Sequence, residues 1–152
     1  FCAHLMEGPA KVHTANTKWH VQHAGKAEGI LVGGYSRNFA MLQGGRYFSF
    51  DPREKYLLFL EDHEKFGDPS YVSAMISHIE QSDFIDHVYG LIFGHYSSVL
   101  NEHLLARLAR FGEKHNVPVV YCDDFGHGVN HAILPIGRKA VLDTVKCELR
   151  YE

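Results

Sequence analysis

Cysteine is scarce: Cys2, Cys122 and Cys147 are three in 152 residues, odd in number and never spaced as CxxC. That pattern excludes a disulfide framework and fits a reducing compartment, so a cytoplasmic protein is expected. Long apolar runs are missing too. YLLFL and VPVVY are of strand length, far short of the roughly 20 residues that cross a bilayer, and no membrane partner is expected. The first residues carry His4 and Glu7 and lack a basic start followed by an apolar stretch, so no signal peptide is read there. Nor is there an excess of positive charge: 15 Lys and Arg against 18 Asp and Glu give a net −3. That balance excludes the clustered basic footprint of a nucleic-acid binder. The expected partner is a small molecule or a protein. The chain starts at Phe1 with no initiating Met, which suggests a fragment or a processed product.

Histidine, by contrast, is plentiful, with twelve in the chain. His127 and His131 have the i, i+4 spacing of helical zinc ligands, yet Gly126, Gly128 and Pro135 oppose a helix there and no HExxH pattern occurs. No metal and no other cofactor is expected. His78, His87, His103 and His115 read as solvated helix or loop residues.

The order of elements defines the fold class. AEGILVGG (27–34) is an apolar strand ending in a glycine pair, read as the exit into a tight turn, with a short helical stretch through Asn38 to Leu42 after it. KYLLFLEDHE holds a strand apolar on both faces from Tyr56 to Leu60. SYVSAMISHIEQSDF places Val72, Met75, Ile76 and Ile79 at helical spacing, HVYGLIFG is a second buried strand, and LNEHLLARLARFGEKH is the clearest amphipathic helix. VPVVYCDD is a third strand, and the final 21 residues supply two or three more, antiparallel and at an edge. The segment from Lys11 to Lys26 is polar and irregular apart from a strand at HVQHA. The pattern predicts an α/β domain with a mainly parallel central sheet and right-handed crossovers. With no repeat or linker, residues 1–152 read as a single domain.

Ligands of such sheets sit beyond the carboxyl ends of the strands. Two charged residues fall there: Glu61 after LLFL, and His127 shortly after VVYC, set between glycines in DDFGHGVNHAILPIG. A carboxylate that fixes an imidazole tautomer, and an imidazole that takes a proton from a nucleophile, are two parts of a triad. The only serine in an elbow-like setting is Ser36 of GGYSRN, but Asn38 stands where the motif needs glycine. The bland alternatives are a strand-end carboxylate meeting solvent and a loop histidine satisfied by backbone. Glycines on both sides of His127, with Asp123 and Asp124 upstream as turn or supporting residues, favour the functional reading, because a working imidazole needs both access and an orienting acceptor.

AEGILVGGYSRNFAMLQGGRYF, LLFLEDHE, VYGLIFGHY and VPVVYCDDFGHGVNHAILPIGRKAVLD together resemble the C-terminal domain of the LD-carboxypeptidases, the serine peptidase group that includes muramoyltetrapeptide carboxypeptidases and microcin C immunity peptidases. The resemblance runs from about Ala27 to Asp143. It implies a swivelling β/β/α-type domain flanked by helices, in which Glu61 and His127 are the Glu and His of a Ser-Glu-His triad. The serine and the oxyanion hole of that family lie in an N-terminal nucleophile domain, absent here and therefore the implied partner. The implied reaction is hydrolysis of an amide in a murein tetrapeptide, with a peptidyl-nucleotide as the alternative substrate and a non-catalytic binding or dimerisation domain as the alternative role. The isolated chain is expected to be inactive, and a homodimer is suggested. Two positions depart from the family: Tyr35 stands where asparagine is frequent, and Gly45 where threonine is frequent. The match also reads Ser36 as a loop residue of the GG motif.

Overall fold

Every residue from Tyr56 to Leu60 is buried, as a strand covered on both faces requires. The computed structural model describes residues 10–152, so Cys2 and the His4 and Glu7 of the leader argument lie outside the described residues. The strands are β1 (Val12–Thr14), β2 (His20–His23), β3 (Lys26–Tyr35), β4 (Tyr56–Glu61), β5 (Val88–His95), β6 (Val119–Gly126), β7 (Lys139–Asp143) and β8 (Glu148–Tyr151). Three helices, α1 (Ser36–Leu42), α2 (Pro69–Ile79) and α3 (Glu102–His115), connect β3 to β6, with a 3-10 turn at Asp83–His87. All eight strands lie in one sheet, in the order β1-β8-β7-β3-β4-β5-β6-β2.

Strands β3 to β6 are parallel and adjacent in chain order, so three crossovers of one hand put all three helices on the same face. Strand periodicity divides the core accordingly. Leu58, Leu60, Leu91, Phe93 and Val119 meet Val72, Ile76, Leu104 and Leu108 of the helices. Leu31, Leu57, Phe59, Ile92 and Val120 point the other way, onto Trp19, Leu142, Leu149 and Tyr151. No helix covers that second layer; the antiparallel strands do. His13 of β1 lies 2.8 Å from Asp124 of β6, although the two strands stand far apart in the sheet order. The sheet therefore curls until its ends meet across the second core.

Local chemistry sets the helix ends. Asp68 caps α2 by accepting from the amides of Ser70 and Tyr71, with Pro69 in the first turn. Asn101 caps α3 through the Leu104 amide, and Asn116 ends it in the left-handed conformation, φ 51°. Helix α1 starts at Ser36, immediately after β3, so the glycine pair is not a strand exit. Both glycines lie within β3, and a Cβ on Gly33 would stand 1.7 Å from the Phe59 carbonyl oxygen. The polar segment before β3 also holds more order than its sequence suggests, with both β1 and β2 at the sheet's edges.

Candidate active site

Four neighbouring parallel strands end in Tyr35, Glu61, His95 and Gly126, and His127 follows at once. Tyr35 pairs in register with Glu61, and His95 with Gly126. The sheet thus delivers these side chains to one edge by backbone registration alone. The Glu61 carboxylate accepts from Nδ1 of His127 at 2.7 Å. An ionised carboxylate can only accept, so the bond fixes the proton on Nδ1 and leaves Nε2 as the basic nitrogen. The carboxylate is sheltered, with its side chain 16% exposed, while the imidazole is 47% exposed. The orienting group is held and the working group is accessible.

The glycines flanking His127 have separate reasons. Gly126 has φ +103°, and a Cβ on it would come within 3.0 Å of Glu61 Oε2 and 3.1 Å of the His95 amide nitrogen. At Gly128 a Cβ would lie 2.8 Å from the His95 ring. Bare backbone is required because Glu61 and His95 press against it.

Several neighbours lack a linear signature. The Tyr35 ring meets the His127 ring edge-on, with centroids 5.7 Å apart. Burial, and then the nearby Asp62 carboxylate, push the Tyr35 phenol up to about 12, so it stays neutral. His63 lies between His127 and His95, with ring centroids 6.1 and 6.0 Å away. His95 holds Asp123 through Nδ1 at 2.8 Å, and Tyr121 donates to the same carboxylate oxygen at 2.9 Å. One signal for His95 was present: it ends an apolar strand, as Glu61 does. Among the described residues no group of three or more His, Cys, Asp or Glu is placed to hold a metal ion.

Ser36 takes no part in the accessible pair. It is fully buried at the start of α1, where its hydroxyl donates to Asp62. Asp62, also fully buried, accepts in addition from the His63 amide at 2.8 Å, which ties down the turn that follows Glu61. Asp123 and Asp124, expected in a turn, lie within β6 instead. Asp124 accepts from the Thr17 amide and hydroxyl, the Asn16 amide and the Trp19 indole, and contacts His13, which ties the N-terminal segment beneath the strand that carries His127. Burial alone would raise its pKa; the hydrogen bonds from Thr17, Trp19, His13 and Asn16 outweigh that and hold it below the ordinary carboxylate value.

A parallel-stranded α/β domain with a carboxylate-bound imidazole at the carboxyl edge of its sheet is the class that fold and site define. Within that class the chain belongs to the LD-carboxypeptidase family: residues 28–142 match the LD-carboxypeptidase C-terminal domain. A "Putative carboxypeptidase" of Treponema pallidum is 29% identical over 126 residues, 80% of this chain and 36% of that protein. The fold is similar to that of muramoyltetrapeptide carboxypeptidase from Oxalobacter formigenes, with a TM-score of 0.74 at 22% identity over 99% of this chain and 53% of that one. It is also similar to that of an MccF-like protein from Bacillus anthracis, with a TM-score of 0.73 at 22% identity over 94% of this chain and 49% of the other. The chain spans about half the length of these solved relatives. Among the described residues no helix is long and apolar enough to cross a membrane.

Proposed function

We propose that this chain is the base-supplying part of a serine peptidase of LD-carboxypeptidase type, whose nucleophile lies in the remainder of the protein. The observation that carries the reading is the 2.7 Å contact between Glu61 and Nδ1 of His127, made beside an exposed imidazole. In the intact enzyme Nε2 of His127 takes the proton of the serine hydroxyl as its oxygen bonds to the scissile carbonyl carbon. The imidazolium, stabilised by Glu61, returns that proton to the leaving amine as the C–N bond breaks. Water then attacks the acyl-serine by the same route, giving a free carboxylate and restoring the hydroxyl.

The substrate proposed is a murein tetrapeptide, from which the terminal residue is removed. The test compares three proteins on that peptide: the intact enzyme, its Glu61→Gln variant and the isolated chain. Release of the terminal residue by the intact enzyme, a loss of at least 100-fold in the variant, and no release by the isolated chain are expected. Turnover by the isolated chain, or an unimpaired Glu61→Gln enzyme, overturns the proposal.

A further inference from the structure

Gly33 and Gly34 differ in what surrounds them. A side chain at Gly33 would drive into the Phe59 backbone, whereas nothing stands within 4 Å of a Cβ built on Gly34. The first glycine is explained by packing. The second leaves a bare floor under open space, and that space belongs to a depression of about 380 Å³ whose lining includes both Glu61 and His127. Its walls are otherwise apolar: Phe59, Phe125, Leu134 and Ile136. Phe59 and Phe125 pack edge to face at 6.0 Å and belong to the second core, so this side of the depression is rigid. The exposed His131 stands at the rim, the one further titratable group in the lining.

Mechanism decides which part of a substrate lies here. The imidazole that deprotonates a serine must also protonate the leaving nitrogen, so the residue released lies within hydrogen-bond reach of His127. The acyl portion lies toward the serine and its oxyanion donors. A depression on the histidine side therefore faces the leaving residue. Because a carboxypeptidase releases a C-terminal residue, that residue carries a free carboxylate as well as a side chain.

We infer that the depression between Gly34 and Ile136 is a subsite for the side chain of the released residue, shaped for an apolar group larger than a methyl, and that His131 at its rim receives the released residue's carboxylate. The inference rests on the peptidase reading above. A few apolar walls with one polar group at the edge form the usual composition of a small-molecule site, and a subsite of this depth discriminates between side chains by one to two orders of magnitude.

The experiment uses the intact protein and a series of peptides alike except for a C-terminal glycine, alanine, leucine or phenylalanine of the configuration the enzyme cleaves. The expected kcat/KM for leucine exceeds that for glycine at least tenfold. Ile136→Asp, at a position 64% exposed and so tolerant of a charge, is expected to reduce that ratio at least fivefold. His131→Gln is expected to raise KM at least fivefold. General damage to the enzyme lowers all the peptides together and leaves the ratio alone, so an unchanged ratio in Ile136→Asp overturns the subsite. A flat profile in the unaltered enzyme, as when another part of the protein fills the depression, overturns it too. An unchanged KM in His131→Gln overturns the carboxylate assignment. Absence of turnover with every peptide overturns the peptidase reading, and the subsite falls with it; turnover with the wrong profile overturns the subsite alone.

Discussion

Gly126 and Glu61 are in close contact, so that a single added carbon on the glycine would lie 3.0 Å from the carboxylate oxygen that holds His127. Backbone conformation and site geometry are thus one constraint at this point. Gly126→Ala must take up φ +103° with a side chain and also displace Glu61 or the His95 backbone. It is expected to cost about 1–3 kcal/mol of stability, seen as a lower denaturant midpoint at unchanged slope. In the intact enzyme it is expected to lower kcat more than Gly128→Ala, where the obstructing atoms belong to the His95 side chain, which can turn aside.

Asp124 gives a pH-dependent prediction. Its folded-state pKa is lowered, so the stability it contributes is complete above the unfolded value near ~4 and is lost as pH falls through the lower folded value. Asp124→Asn is expected to be less stable than the parent by about 2–4 kcal/mol at pH 7. Urea unfolding at pH 7, 5 and 3 is expected to show that gap narrowing between pH 5 and 3. A gap constant with pH contradicts the role assigned to the carboxylate.

Ser36 is predicted to be structural. The isolated chain is expected not to react with a serine-directed phosphonate, as read by intact mass. Ser36→Ala leaves the buried Asp62 short of one donor and is expected to lower stability by about 1–3 kcal/mol.

Burial pushes the Cys122 thiol up to about 12, and the thiolate is the reactive form. Peptide mapping after iodoacetamide at pH 8 is expected to find Cys122 unmodified in the native chain and fully modified in denaturant. Rapid native modification contradicts its place in the second core.

Much of this architecture was legible in the residues. Tyr56 to Leu60 and the LLARLARF stripe announce a buried strand and an amphipathic helix because burial writes its period directly into the chain. Glu61 and His127 stood out by their places at strand ends. What the sequence did not reveal depends on partners distant along the chain. Asp123–Asp124 looks like a turn, and only the meeting of His13, Asn16, Thr17 and Trp19 at Asp124, more than 100 positions away, makes it a buried strand residue. His115 looked solvated but contacts Glu80 at 2.7 Å, beside Arg107. The glycine pair was assigned to a turn because glycine signals permissive backbone without saying whether a turn or a close approach requires it.

The central claim is that His127, oriented by Glu61, is the proton-transferring group of the intact peptidase. The most direct measurement is the rate at which the intact protein and its His127→Ala variant release the terminal residue of a murein tetrapeptide, with circular dichroism used to compare their folds. A fall in kcat on the order of 10³-fold or more with an unchanged spectrum is predicted. A variant that folds normally and keeps kcat within a few-fold of the parent contradicts the account.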